Sequence, residues 1–544
     1  MRRLFKEDGL QAEFEVRHKD LLGRIGYLRI GGKKVETPAF VPVINPVNQV
    51  IPPREIKQIF GCNIVITNAY ILLKRFGREA VDRGVHGIID FDGIVMTDSG
   101  GYQVLMYGDV DAQPSEIAVF QESIGSDIAV PLDKPTGLVT RKKAEQTVEK
   151  TLENVRLTMN LVGEKSRCVW VGPIQGGVYR DLIQRCVEEY KKLGFSLYCL
   201  GSPTPLMTSY RYTQLVSMIT AARAALRPVT PLHLFGAGHP MIFGLVIALG
   251  VDLFDSASYV LFAKEDRYMT PDGTLRLEDL AYLPCSCETC VKVSAKELKE
   301  MERDERLKHL ALHNLHVCFQ ELKTVKQAIW EGRLFELVEK RAKAHPSVYD
   351  AFVEVFSDDI TVNEMALHTS VSKRRGIFLT DLDSLRRPEY RKMADKLDRF
   401  LRPENDVAVL LHHRTVTSRN ITHVLEKISK TLDSVNFDVY VVGTPYGLVP
   451  LFIHNVYPVS QTSFSITLFK QIAETLNSKA AKKLAEAGYR KIYVFEWGPD
   501  TYPGYMRELA QTLSVNTGAE IIRVNPRKQR NQKIQNESRG LTSH

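Results

Sequence analysis

Between about Leu21 and about Val260, short apolar, β-rich runs alternate with longer amphipathic stretches, and that rhythm leaves the chain few folds. The runs "NIVIT", "GIVMT", "VWVGPI", "SLYCLG", "PLHLFG" and "VDLFD" have strand length and are bounded by Thr, Gly, Asp or Pro. Between them lie stretches such as "RKKAEQTVEKTLENVRLTMNLV" and "YRYTQLVSMITAARAAL", whose apolar positions recur at helical spacing. Strands joined through helices pair in parallel, so the segment is expected to be a series of β/α units. With "FVPVI" added, the runs fit a (β/α)8 TIM-like barrel with one poorly marked strand. A doubly wound open sheet is the competing arrangement. The barrel is favoured because residues suited to chemistry stand at the C-terminal ends of several different runs.

A chain of 544 residues exceeds a single typical core, so further domains are expected. The first is placed at residues 1–345. It closes with a cysteine-rich segment and a charged helical region, a zinc-binding subdomain over about 281–345. A boundary near His345–Pro346 leads into 346–525, a C-terminal α/β accessory region with strands in "DVAVLLHH", "DVYVVGT" and "KIYVFEW". Residues 526–544 are basic, polar and aperiodic, which predicts a disordered tail. No apolar run is long enough to cross a bilayer, and the first residues lack the apolar stretch of a signal peptide, so a cytoplasmic protein is expected. The formal charge of +8 permits a polyanionic partner without requiring one.

Three of the eight cysteines crowd into "LPCSCETC" as Cys285, Cys287 and Cys290, and the others are scattered through apolar contexts as core thiols. Cysteines so clustered, with a histidine following in "LALHNLHV", suit one tetrahedral Zn²⁺. His313 would complete the set, with His316 or His309 as rival fourth ligand. Four protein ligands leave no position for water, so the ion is expected to be structural. "HLFGAGHPM" lacks the third glycine of a dinucleotide fingerprint, and there is no phosphate-binding GKS/T loop, so nucleotide cofactors are not indicated.

Chemistry is sought at carboxylates. "GIVMTDSGGYQ" puts Asp98 just after a strand-like run, before a Gly100–Gly101 turn, and "GVDLFDSASY" puts Asp255 after another. Two carboxylates in one cleft suit glycosyl transfer, one attacking a sugar carbon while the other protonates the leaving group. An Asp in that position is about as often a helix cap, and Ser99 and Ser256 are open to the same reading. Asp133 in "VPLDKPTG", Gln175 in "GPIQGGVYRDL" and Gly201 in "CLGSPTPLM" could offer hydrogen bonds to a purine-like edge, on which Tyr102 could stack. Each alone is equally a turn residue.

The segments "TPAFVPV", "TNAYIL", "TDSGGYQV", "HLFGAGHPMIF", "DLFDSASYVLFAKEDRYMT", "LPCSCETC" and "LALHNL" follow one another over roughly Phe14 to Ala344. Together they closely resemble the archaeal tRNA-guanine transglycosylases. The resemblance implies exchange of guanine 15 in the tRNA D-arm for 7-cyano-7-deazaguanine (preQ0), on the route to archaeosine. It implies a (β/α)8 barrel with a zinc subdomain, and a homodimer. It also implies Asp98 and Asp255 as the catalytic pair, with Asp255 as nucleophile and Asp98 as acid/base, or the reverse. Asp133, Gln175 and Gly201 match base-binding positions, with Ser99 and Tyr102 expected to bind substrate beside them, and Cys285, Cys287, Cys290 and His313 match the zinc ligands.

Base exchange is close to isoenergetic, so neither ATP nor a redox cofactor is expected. Lys264 and Arg267 are candidates for phosphate contacts, as are Arg527, Lys528, Arg530 and Lys533 in the tail. No PUA RNA-binding domain is recognised after the accessory region, so tRNA grip is expected from that region, the tail, or a separate PUA-bearing partner. Two rival functions are a non-catalytic tRNA-binding subunit, against which both aspartates speak, and an archaeosine synthase acting on the inserted base.

Overall fold

The chain begins with an antiparallel sheet of β1 (Glu13–Asp20), β2 (Gly23–Ile30) and β3 (Lys33–Thr37). In this computed structural model the residues described are 10–101, 113–163, 166–201, 203–369, 373–432 and 436–525. They divide into two compact units, Met1–Thr369 and Ser370–His544.

In the first unit the alternating runs close into the expected ring. Its strands are β4 (Ala39–Pro42), β5 (Ile64–Asn68), β6 (Ile94–Asp98), β7 (Ile128–Ala129), the interrupted pair β8 (Val169–Trp170) and β9 (Gly172–Ile174), β10 (Tyr198–Leu200), β11 (Leu232–Leu234) and β12 (Leu253–Ser256). All pair in parallel, from β5 to β8 and from β9 through β12 to β4. The Val43–Ile66 bridge joins β4 to β5, and Val171 alone separates β8 from β9. The strand that sequence left unmarked is β7, whose ladder is only two residues long.

Side-chain alternation then sorts each strand into two layers. Val41, Ile64, Ile66, Ile94, Met96, Val169, Val171, Cys199 and Leu253 pack together inside the ring. Phe40, Val65, Val95, Ile174, Leu200 and Phe254 face the helices outside. The outer layer includes Arg180–Lys191, which buries Leu182, Ile183, Cys186, Val187 and Tyr190 as one stripe. β2 and β3 add Leu28, Ile30 and Val35 to the inner cluster. They seal the N-terminal end of the ring, where Lys33 Nζ meets Asp127 at 2.8 Å and Gly93 O at 3.0 Å, just ahead of β7 and β6. Arg24 and Asp252 form a buried ion pair at 2.7 Å just ahead of β12. Only the C-terminal end of the barrel remains for a site.

After β12 come a helix at Ser258–Lys264 and a hairpin of β13 (Arg267–Thr270) and β14 (Gly273–Arg276). A cysteine loop and a helix at Ala295–Glu300 precede the 29-residue helix Arg303–Glu331. The expected boundary at His345–Pro346 falls inside this unit. Pro346 is the first residue of a helix, Pro346–Ser357, whose entry is capped by His345 accepting from Ser347 N. That helix buries Val348, Ala351, Phe352, Val355 and Phe356 and packs on Tyr212–Ala225 and Leu334–Ala342. The expected boundary therefore coincides with the start of a helix that belongs to this unit.

The second unit is an open α/β sheet in the order β18 (Val449–Pro450), β17 (Asp438–Val442), β16 (Val407–His412), β20 (Lys491–Phe495) and β21 (Glu520–Val524). All its pairings are parallel except β17 with β18, and a separate parallel pair joins β15 (Ile377–Leu379) to β19 (Thr462–Phe464). Among the described residues no helix is long and apolar enough to cross a membrane.

Candidate active site and metal centre

The inner parity of the barrel strands carries past their apolar residues to polar ones. Ile94 and Met96 lead to Asp98, Leu253 leads to Asp255, Val169 and Val171 lead to Gln175, and Cys199 leads to Gly201. Two-residue periodicity thus turns these positions into the ring at its unsealed end. Burial, then the charges of Asp255, Asp133 and Asp98 nearby, push the Cys199 thiol far up. These three carboxyls therefore share one cleft.

Asp98 retains some access to solvent, and Asn68 Nδ2 donates to its Oδ2 at 3.0 Å. Burial, then the charges of Asp133 and Asp255, push its carboxyl up to about 7. Asp255 is held differently. His233 Nε2 lies 2.9 Å from Asp255 Oδ1, Gly236 N donates to the same oxygen at 3.1 Å, and Oδ2 has no partner among the described residues. His233 is fully buried, and its Nδ1 has no partner among the described residues, so Nε2 is the ring nitrogen that serves Asp255.

Asp133 and Gln175 form a single buried unit. Gln175 Nε2 donates to Asp133 Oδ2 at 2.6 Å and its Oε1 accepts from Thr136 N at 3.0 Å. Burial pushes the Asp133 carboxyl up to about 6 even against the Gln175 hydrogen bond. Two glycines permit the close packing. A Cβ on Gly201 would lie 2.1 Å from Gln175 Nε2, and one on Gly101 would lie 2.3 Å from Asp133 Oδ1. Ser99 is fully buried, with its hydroxyl donating to Pro131 O at 3.3 Å. Tyr102 lies outside the described residues.

Cys285, Cys287, Cys290 and His313 converge, their ligand atoms all within 4.8 Å of one another. His313 Nε2 lies 2.9 Å from Met269 O, leaving Nδ1 toward Cys290 and Cys287 at 3.3 and 3.6 Å. A ring nitrogen donating to a carbonyl fixes the other as a ligand, the usual support of a metal-binding histidine. Tyr268 adds to it by stacking on His313 at 3.6 Å. The hairpin β13–β14, just ahead of the expected subdomain start, thus belongs to the metal centre. Neither rival joins the group: His309 Nε2 is taken by Thr289 O at 2.9 Å, and His316 packs edge-on against Phe60. The four residues could hold one metal ion.

Sequence reasoning missed His233 and Asn68. The signal for His233 was a polar residue at an inward position of "PLHLFG", and Asn68 ends β5 as Asp98 ends β6, paired in register. Of the candidate phosphate contacts, Arg267 is engaged with Glu265 at 3.1 Å, whereas Lys264 is exposed and has no partner among the described residues. The tail candidates Arg527, Lys528, Arg530 and Lys533 lie outside the described residues.

The sequence profile of the family described as "Queuine tRNA-ribosyltransferase" matches residues 20–347. A tRNA-guanine(15) transglycosylase of Sulfolobus acidocaldarius is 38% identical over 490 residues, covering 89% of this chain and 95% of that protein. One of Methanocaldococcus jannaschii is 40% identical over 528 residues, 94% of this chain and 77% of the relative. A third, of Thermococcus kodakarensis, is 43% identical over 391 residues, 71% of this chain and 66% of the relative.

Proposed function

Because this chain belongs to the queuine tRNA-ribosyltransferase family, we propose that it is a tRNA-guanine(15) transglycosylase. It replaces guanine 15 of tRNA with 7-cyano-7-deazaguanine, a step of archaeosine biosynthesis. The observation that carries the reading is the meeting of Asp98 and Asp255, from β6 and β12, at the open end of a barrel whose other end is sealed.

Asp255 is the nucleophile. Its carboxylate forms a bond to ribose C1′ as the C1′–N9 bond breaks, and the departing guanine takes the proton held by Asp98. In the second half Asp98 removes the N9 proton of the incoming base. That base bonds to C1′ as the C1′–oxygen bond to Asp255 breaks, so two displacements retain configuration. Support for these roles comes from the environments. Asp98, pushed up to about 7, can both give and take a proton near neutral pH, while Asp255 is oriented by His233 and Gly236. Asp133, Gln175, Gly201 and Ser99 hold the base. Guanine 15 must leave the tRNA core to reach them, which needs local unfolding and extrusion.

Cys285, Cys287, Cys290 and His313 would hold one structural Zn²⁺, whose bound form ties the cysteine loop to the Arg303–Glu331 helix. The same reading carries a cytoplasmic homodimer, checked by light scattering, and a separate PUA-bearing protein that helps to grip tRNA.

The test is incorporation of labelled guanine into a tRNA transcript by the folded, metal-loaded protein; no incorporation overturns the assignment. Asp255→Asn should abolish the trapped covalent tRNA adduct with tRNA binding kept. An adduct that survives in Asp255→Asn but not in Asp98→Asn reverses the two roles.

A further inference from the structure

The second unit holds a cavity of about 400 Å³ that the transfer chemistry does not use. It opens beyond the C-terminal ends of β16 and β17, where His413 and Thr444 follow their strands. Ligands of open α/β sheets gather outside the carboxyl ends of the strands, and the volume is that of a small-molecule site.

Its walls specify a chemistry. Among the described residues no Lys, Arg, Asp or Glu lines it. Burial pushes His413 down to about 4 and lowers His454, so both rings are neutral at pH 7. A phosphate or carboxylate inside would have no counter-charge. Three buried polar atoms of the lining lack partners: Thr444 Oγ1, His413 Nε2 and His454 Nδ1. Thr444 is only 6% exposed, so an occupant that satisfies it removes a desolvation cost. His454 Nε2 is engaged with Val416 O at 3.2 Å, which leaves Nδ1 as an acceptor. Thr444 can donate or accept. The rings of His413 and Phe464, 5.6 Å apart and tilted, supply flat apolar faces. These walls suit an uncharged occupant that can lay a flat face on the rings and offer an N–H and an acceptor to the polar groups. Beside the lining residue Ser418, Arg419 is exposed and has no partner among the described residues.

We propose that this cavity receives a single nucleobase unstacked from an RNA strand, with a flanking phosphate on Arg419. The proposal rests on the reading of tRNA as substrate, since delivering guanine 15 leaves other bases of the opened arm without stacking partners.

The test uses the full chain. Saturation transfer to adenosine, cytidine and uridine reports base binding, and filter binding of a tRNA transcript reports the strand. Guanosine is omitted because the barrel cleft competes for it. At least one nucleoside should bind wild type and Asp255→Asn alike, and at least fivefold more weakly to Thr444→Val. The tRNA Kd should rise at least fivefold in Thr444→Val and in the surface variant Arg419→Ala, with melting temperatures kept. The proposal is overturned by no nucleoside binding, by equal binding in Thr444→Val, or by loss of binding in Asp255→Asn. Nucleoside binding with an unchanged tRNA Kd in both variants overturns the strand in favour of a free neutral metabolite. None of these readouts needs turnover, so failure of guanine exchange would refute the enzyme assignment separately.

Discussion

Adding one methyl group to Gly201 tests the proposed base site more sharply than removing any of its polar residues. The Cβ of Gly201→Ala would sit 2.1 Å from Gln175 Nε2 and 2.9 Å from Gln175 Cδ. Ordinary contact begins near 3.4 Å, so the amide must retreat by more than an ångström. Gln175 is buried and anchored by Thr136 N, and its Nε2 is the donor to Asp133 at 2.6 Å. Retreat breaks that bond. A hydrogen bond to a charged group contributes about 1.5–3 kcal/mol, so KM for the incoming base should rise roughly 10- to 150-fold if the pair's geometry is what binds it. Overpacking should cost about 1–3 kcal/mol of stability as well. Steady-state exchange with base and tRNA varied in turn, alongside thermal melting, separates the two effects. Guanine 15 of tRNA reaches the same pair, so KM for tRNA should rise too, but by less, because tRNA also makes contacts outside the base site. In Gln175→Ala the obstruction is gone, so adding Gly201→Ala should change KM by less than about twofold. A folded Gly201→Ala protein with unchanged KM for the base would refute the placement of Gln175 and Asp133 around it.

Asp98 sets a pH dependence in two directions. Adduct formation needs its proton and should fall as pH rises through about 7, whereas attack by the incoming base needs the carboxylate and should fall below it; single-turnover profiles of the two half-reactions check this. Its raised value also means that the folded state binds the extra proton between about pH 4 and 7, so its contribution to stability declines as pH rises across that window, readable in denaturant titrations. His233→Phe keeps the buried ring but removes the donor to Asp255. Adduct formation should slow roughly 10- to 150-fold with KM for tRNA unchanged, and His233→Gln should recover part of it; a parallel rise in KM would point to a structural role instead. Cys287→Ser should lower zinc stoichiometry and melting temperature together, and unchanged zinc content would remove it from the ligand set.

Much of this was legible from residue patterns because the barrel is built from repeated local rules. Strand-length apolar runs separated by helical ones gave the parallel ring, and clustered thiols with a following histidine gave the group that could hold a metal ion. The misses have physical reasons. β7 pairs through Ile128 and Ala129 alone, too few residues for a run to stand out, and its neighbours extend as loop. The boundary expected near His345–Pro346 is instead a helix start within the first unit, because proline at a first helical position costs nothing. The periodic apolar residues of "VYDAFVEVF" after it were the better guide. His309 and His316 could not be set aside from spacing, since both lie within about a turn of His313 on one helix. Only the carbonyl of Thr289 and the ring of Phe60 decide against them. His233 escaped notice because its role depends on a strand-neighbour, Asp255, that sequence distance conceals.

The alternation that turns Asp98, Gln175, Gly201 and Asp255 inward also limits how such a chain can change length. One residue inserted within β6 ahead of Asp98 would rotate the carboxylate into the outer layer, where the helix Ala69–Phe76 packs on β6 and buries Leu72. Two inserted residues would restore its direction but shift it by about 6.6 Å along the strand, out of reach of its neighbours. No small change in strand length leaves the constellation intact, whereas the connections around the open mouth can lengthen freely. The strands act as fixed-length rulers, and variation in what the protein recognises is confined to the loops.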